Sequence, residues 1–493
     1  MALLQVDGLT FGYDGSYDWV FENLTFQVDT AWQLGLTGRN GRGKTTLLRL
    51  LQGRLAYRGH IDMPCPARHF PFAVENAAEP TLALMRRMSG GALDWRLQRE
   101  CGLLALTDDA LERPYGTLSR GEQTKAQLAA LFAGDDGYLL IDEPTNHLDL
   151  RGRALVGDYL RQKPGFLLVS HDRDFLNRCV DHVLCLNKSG ADVFRGDYDT
   201  YERELNARNE YEQKQNERLQ KDIRRLGEAA RRTAGWSNAL EKQKFHVPES
   251  VSAAADRGYI GAKSAKMMAR AKAIQKRRDK AIEEKGELLH DIERVGELKL
   301  RPLEHPKKRL VTVENASVRY GERVVLPQVR FTVEQGERVA LLGPNGAGKS
   351  SILKALTGEG DALRGELRLA SGLIISYVPQ DPSFLRGNVR EFIARHGLDE
   401  TLFKAILRNM DMGRQQFDKD MADFSEGQKK KVLLARSLCE SAHLYVWDEA
   451  LNYLDVYSRV QLEGLLLECK PTLLMVEHDR RFLERVCTRM VEL

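Results

Sequence analysis

Four short motifs occur twice in this chain, in the same order and at nearly constant spacing. Lys44 and Lys349 lie 305 positions apart, Ser119 and Ser425 306, Glu143 and Glu449 306, and His171 and His478 307. Four motifs in register over that distance mark a duplicated unit, so the chain must build the same fold twice. The halves run over about 1–198 and 306–493, joined by a segment at 199–305. At 493 residues the chain is too long for one hydrophobic core in any case.

The first motif is Gly-x-x-x-x-Gly-Lys-Ser/Thr. It reads GRNGRGKT from Gly38 to Thr45 and GPNGAGKS from Gly343 to Ser350. Each copy follows an apolar run (LGLT, VALL) and precedes a helical pattern (TLLRLL, SILKAL). This is the strand–loop–helix setting of a phosphate-binding P-loop. Gly38, Asn40, Gly41 and Gly43 in one half, and Gly343, Asn345, Gly346 and Gly348 in the other, let backbone N–H groups curl around phosphate oxygens. The helix N-terminus that follows, with Thr46 and Ser351, favours the same anion. Lys44 and Lys349 then reach the β- and γ-phosphates, and Thr45 and Ser350 ligate magnesium. The bland alternative is a pair of Gly-rich turns, each with a stray lysine.

About a hundred residues on, two apolar strands end in acids, YLLID in Asp142-Glu143 and LYVWD in Asp448-Glu449. The first acid of each pair is read as holding magnesium, and the second as polarising the attacking water. An acidic helix cap is the structural alternative. His171 and His478 each end a further apolar strand, 28 and 29 residues after the glutamate, and are read as γ-phosphate sensors. Gln380, in VPQD, is read as touching nucleotide and metal. Its counterpart by position is Phe72, whose ring can neither ligate magnesium nor hold water. Ala450 stands against Pro144, and Glu477 against Ser170. Two unequal sites are expected, both retaining a glutamate.

The joining segment is basic. From Arg218 to Lys280 there are 17 Lys+Arg against 6 Asp+Glu, a local +11 in a chain of net +4, which leaves about −7 on the rest. The balance suits a polyanion-binding middle, or a solvated helix pair with a basic bias. Leu219, Ile223, Leu226 and Ala230, and later Ile282, Leu289, Ile292 and Val295, follow helical spacing. Trp236 to Ala262 reads as the loop between them. The result is a hairpin with arms of about 40 residues, up to ~60 Å long. Arg224, Arg225, Arg231, Arg232, Lys263, Lys266 and Arg270 suit phosphate neutralisation. Trp236, Phe245 and Tyr259 suit stacking on bases, with hairpin packing as the alternative.

No apolar stretch approaches the ~20 residues of a membrane-spanning helix. The start, MALLQVDGLTFGYDG, is no secretory signal. Seven scattered cysteines without a Cys-x-x-Cys argue for reduced thiols in a cytoplasmic protein.

Thr117-Leu118-Ser119-Arg120-Gly121-Glu122-Gln123 and Phe424-Ser425-Glu426-Gly427-Gln428 resemble the signature loop of ABC ATPases. With the P-loops, carboxylates and histidines, the resemblance implies an α/β fold of two tandem P-loop ABC-type domains joined by a coiled-coil hairpin. It further implies head-to-tail packing. One ATP site would combine Lys44, Thr45, Asp142, Glu143 and His171 with Ser425 and Gly427. The other would combine Lys349, Ser350, Gln380, Asp448, Glu449 and His478 with Ser119 and Gly121. Tyr13 and Tyr320 look like the aromatics that stack on adenine. ERPYGTLSRGEQTKAQLA, IDEPTNHLDL, LLVSHDRDFL and FRGDYDTYERE are similar to the ABC-F family, whose linker enters the ribosome from the E site towards the peptidyl-transferase centre.

HFPFAV (69–74), IGAKSAKMMARAKAIQKR (260–277), FSEGQKKKV (424–432) and YVWDEALNYLD (445–455) most resemble the Lsa/Vga-type resistance proteins of that family. Those protect ribosomes from lincosamides, streptogramins A and pleuromutilins. The resemblance implies an ATPase using ATP and Mg2+. Its partner would be the bacterial 70S ribosome, through 23S rRNA and a P-site tRNA. No membrane partner and a monomeric state are expected. A housekeeping translation factor is the alternative, and a transport ATPase a more distant one. The spans from Phe72 to Leu118 and from Gln380 to Phe424 are 46 and 44 residues, so no large arm is expected in the first domain.

Overall fold

The computed structural model describes residues 2–13, 19–39, 41–134, 137–187, 190–208, 210, 211, 214–219, 221, 300–410 and 412–493. The chain divides into a unit of Met1–Tyr201 with Val295–Leu493 and a second unit of Glu202–Arg294. Within the second, residues 202–208, 210, 211, 214–219 and 221 are helical. The expected hairpin loop and its RNA-contact candidates (Arg224, Arg225, Arg231, Arg232, Trp236, Phe245, Tyr259, Lys263, Lys266 and Arg270) lie outside the described residues, as does Asn40.

Each half of the first unit is centred on a mostly parallel sheet. In the first half the strand order is Ala67–Phe70, Tyr138–Asp142, Phe166–Val169, Gln33–Thr37, His182–Leu186 and Ala191–Arg195. All neighbours are parallel except the last pair. The second half repeats this with Ile375–Val378, Leu444–Asp448, Leu473–Val476, Arg338–Leu342 and Arg489–Glu492, all parallel. FLLV and LYVWD read as unbroken apolar runs because both sheet faces are covered. Every residue of those two strands is buried.

A three-stranded antiparallel sheet accompanies each parallel one. It is formed by Leu3–Phe11, Phe21–Asp29 and Arg58–Asp62 in the first half, and by Arg309–Tyr320, Arg323–Glu334 and Leu363–Leu369 in the second. Their alternating burial is the mark of strands covered on one face. Between the first and second motifs each half inserts a small helical layer, Thr81–Met88 and Asp94–Leu103 in one and Val389–Arg395 and Glu400–Asn409 in the other. The first pair packs on the long helix Arg120–Ala133; in the second half Glu400–Asn409 packs on Glu426–Cys439 and carries Val389–Arg395.

In each half the strand before the P-loop and the strand ending in two acids flank the strand ending in histidine. Three motifs distant in sequence therefore arrive together at the carboxyl edge of one parallel sheet, where such sheets bind ligands. Among the described residues no helix is long and apolar enough to cross a membrane. The seven cysteines are free thiols.

Candidate active sites

Gly43 and Gly348 begin the helices Lys44–Leu51 and Lys349–Thr357 with φ of 83° and 90°. A Cβ at Gly43 would meet Phe21 Cζ at 2.6 Å, and one at Gly348 would meet Val318 Cγ1 at 3.0 Å. Only glycine provides that backbone and that clearance together. Gly38, Gly41, Gly343 and Gly346 also take positive φ. Lys44 Nζ donates to Gly38 O at 2.7 Å and Arg39 O at 3.2 Å; Lys349 Nζ donates to Gly343 O at 2.8 Å and Pro344 O at 2.9 Å. Both lysines are buried inside the loops they end.

The next residue of each loop faces the first acid. Thr45 Oγ1 donates to Asp142 Oδ2 at 3.2 Å, and Ser350 Oγ to Asp448 Oδ1 at 3.1 Å. Asp448 is fully buried, and its Oδ2 has no hydrogen-bond partner among the described residues. Burial pushes the carboxyls of both Asp142 and Asp448 up, Asp448 to about 6. A hydroxyl beside a buried carboxylate with a spare oxygen is a hard donor set that fits Mg2+. Tyr13 and Tyr320, both partly exposed at the loop edge, contact Thr46 Oγ1 (2.9 Å) and Ser351 Oγ through their hydroxyls.

Glu143 and Glu449 have φ of 51° and 50°, a backbone that costs a non-glycine residue of order 1–3 kcal/mol. Each is fixed by its own N–H, donated at 2.9 Å to the strand that leads to the histidine (Val169 O, Val476 O). The strained turn aims each carboxylate at that histidine, with His171 Nε2 to Glu143 Oε1 3.4 Å and His478 Nε2 to Glu449 Oε1 3.6 Å.

Beyond that the two sites differ. Gln380 Nε2 donates to Glu449 Oε1 at 2.8 Å and Asn452 Nδ2 to Glu449 Oε2 at 2.7 Å. Burial alone would raise Glu449, but His478, Gln380 and Lys430 outweigh it and bring it to about 2. Glu143 shifts the other way. Burial and then the neighbouring Asp142 push it up, and burial with Lys44 and Arg459 holds His171 well below its ordinary value. Phe72 supplies no polar side-chain atom. Its backbone N–H is held by Gln127 Oε1 at 2.9 Å, and its ring lines a cavity of about 490 Å³ with Thr45, Arg49, His69 and Asp142.

Glu477 is a second departure. Burial and then Glu449 raise it to about 8, while its Oε1 accepts Leu451 N–H at 2.9 Å. A carboxyl raised from its usual 4.5 lowers stability as pH climbs through that window, with the whole effect in force above about 8. Glu477→Gln keeps the acceptor and removes the titration. Its melting midpoint should exceed the parent's by several degrees at pH 9, and the gap should close towards pH 5. A gap independent of pH would rule this out.

Ser119 and Ser425 cap the helices Arg120–Ala133 and Glu426–Cys439 through reciprocal bonds with Glu122 and Gln428. Gly121 and Gly427 lie in the first turn of these helices. The two halves meet where motif residues of one half touch residues just beyond the motifs of the other. Asn345 Nδ2 donates to His147 O at 2.9 Å, and Asn345 N–H to Asp149 Oδ2 at 3.3 Å. One P-loop thus touches the segment just past the other half's carboxylates. Arg153 joins Asp172 Oδ2 (2.7 Å) in its own half to His478 O (2.9 Å) in the other. The positive φ of His147 and Tyr453 recurs in both halves. The repeated Leu-Asp at 148–149 and 454–455 is the sequence signal that would have pointed there.

Two P-loops, each with its carboxylate pair and histidine, define a twin P-loop ATPase. The domain family described as ABC transporter matches residues 21–146 and 326–452. The chain is 29% identical over 477 residues to the ribosome protection protein VmlR of Bacillus subtilis (strain 168), covering 94% of this chain and 82% of that one. It is 24% identical over 545 residues to ABC transporter F family member 5 of Arabidopsis thaliana, covering 96% and 72%. The archaeal ribosome recycling factor aABCE1, solved in complex with ribosomal stalk protein aP1, superposes with a TM-score of 0.63 over 96% of this chain and 84% of that one, at 19% identity. The chain belongs to the ABC transporter family, among its F-type members, and is an ATPase that binds ATP in both halves.

Proposed function

We propose that this ATPase is a ribosome protection protein. In this reading ATP closes its halves on the bacterial 70S ribosome. The basic segment enters from the E site to reach 23S rRNA and a P-site tRNA. Lincosamides, streptogramins A and pleuromutilins lose their hold, and hydrolysis releases the protein. It acts in the cytoplasm as a monomer, with ATPase domains at 1–198 and 306–493 and the RNA-binding hairpin at 199–305. The reading rests above all on likeness to VmlR along 94% of the chain, together with two P-loops, each with its carboxylate pair and histidine, on one polypeptide.

The chemistry follows from the geometry. Lys44 and Lys349 exchange loop carbonyls for β- and γ-phosphate oxygens. Thr45 with Asp142, and Ser350 with Asp448 and Gln380, would hold Mg2+, which when bound offsets charge on those oxygens. Glu449, ionised and seated by Gln380, Asn452 and His478, takes a proton from water as its oxygen attacks the γ-phosphorus. The bond to the ADP oxygen then breaks. Glu143 performs the same step with no amide from position 72 to seat it. The N–H groups behind Ser119 and Ser425 complete the γ-phosphate's surroundings from the opposite half.

Sedimentation of the Glu143→Gln, Glu449→Gln variant with 70S ribosomes tests the proposal. Pelleting with ATP and not without it is the expected result. Absence of pelleting at moderate salt, with ATP binding intact, would overturn it. Minimum inhibitory concentrations of the three drug classes in cells expressing the parent chain then separate protection from a housekeeping role in translation, in which resistance would not change.

A further inference from the structure

Lys430 lies in the helix Glu426–Cys439 and is 2% exposed. Its Nζ donates to Pro379 O at 2.8 Å and to Asp448 O at 3.1 Å. These carbonyls immediately precede Gln380 and Glu449, the two residues joined by the 2.8 Å amide–carboxylate bond. One buried ammonium therefore grips the backbone on both sides of that bond. Burial lowers the pKa of Lys430, and Glu477, Asp448 and Glu449 oppose the loss. The same helix is capped by Ser425, which in the head-to-tail reading serves the other ATP.

Among the described residues the first half shows no such clamp. The counterpart of Lys430 is Thr124, whose hydroxyl turns back to Arg120 O at 3.0 Å within its own helix. Its loop is held instead by a neutral relay, Phe72 N–H to Gln127 Oε1 (2.9 Å) and Gln127 Nε2 to Tyr115 OH (2.7 Å). That relay seats a ring that offers Glu143 no hydrogen bond.

We infer that Lys430 is a positioning residue that sets Gln380 and Glu449 as one body and ties them to the helix capping the opposite ATP. Occupancy of the site containing Lys44 would thereby be felt at Glu449. Among the described residues, neither Arg120 nor Lys125 of the helix Arg120–Ala133 makes the corresponding pair of bonds. The inference rests on the two-site reading above.

The test compares Lys430→Met in the full chain in two backgrounds. In Glu143→Gln, where only Glu449 can act, kcat should fall roughly 10- to 100-fold with little change in KM, the scale expected when a reacting group is misplaced by about an ångström. In Glu449→Gln the fall should be at least fivefold smaller. Lys430→Gln, able to serve one carbonyl, should lie between parent and Lys430→Met. It also decides the matter by the same comparison if the methionine variant does not fold. Equal losses in the two backgrounds, or a kcat in Glu143→Gln within twofold of its parent, would overturn the role of Lys430. Undiminished hydrolysis in the Glu143→Gln, Glu449→Gln double variant would instead overturn the site assignment, and the role of Lys430 with it.

Discussion

Replacing Glu143 and Glu449 together by glutamine is expected to lower steady-state ATP hydrolysis roughly 10²- to 10⁴-fold, the contribution of a positioned general base. ATP binding should change by less than about threefold. Glutamine has the shape of glutamate but cannot take a proton from water. The Lys44 and Lys349 ammonium groups and the Thr45 and Ser350 hydroxyls are untouched. The single variants should not be equal. Glu449 is ionised and fixed by Gln380 and Asn452, whereas burial and Asp142 hold Glu143 up. Glu449→Gln should therefore remove the larger share of turnover near pH 7. Phosphate release under saturating ATP measures all three. A double variant keeping more than a tenth of parental turnover would mean that another group serves as base.

The second large effect is on stability. Arg173, in the first half, is fully buried and bonds Glu463 of the second half, which also accepts Arg485 Nη1 at 2.9 Å. Glu463→Leu leaves the Arg173 guanidinium buried without that carboxylate, a loss of about 3 kcal/mol or more. The pair joins the two halves, so thermal unfolding without nucleotide should show a midpoint lowered by several degrees. Arg173→Met combined with Glu463→Leu should recover part of the loss, because no charge is then stranded. A midpoint within a degree of the parent for Glu463→Leu alone would show that other contacts carry this face.

Residues that work through contiguous motifs were legible in the sequence. A P-loop, a strand ending in two acids and a strand ending in histidine each announce themselves locally, and their repetition fixes the register between halves. The parallel sheets follow, because short apolar strands alternating with helices leave few other arrangements. The contacts that join the halves were not legible. Asn345 and Arg153 reach backbone carbonyls of His147 and His478, which have no letter of their own. Arg173 and Glu463 are 290 residues apart. Lys430 was hidden differently. KKK at 429–431 reads as a solvated basic run, yet helical geometry buries Lys430 and Lys431 while leaving Lys429 partly exposed. Phe72 was visible as a departure, but that its backbone would be held by Gln127 depends on a helix some fifty residues away.

Carrying both halves on one polypeptide has a hereditary consequence. In an assembly of two identical subunits, any new residue appears in both pockets at once, and a change useful in one must be tolerable in the other. Here Lys430 and Glu477 stand opposite Thr124 and Ser170, so the two halves differ at both positions. After duplication each half could drift towards its own task while its neighbour stayed fixed. Fusion thus turns a symmetric pair into two separately selectable parts, and the charged clamp behind Glu449 is a trait that an unfused ancestor would have had to accept twice or not at all.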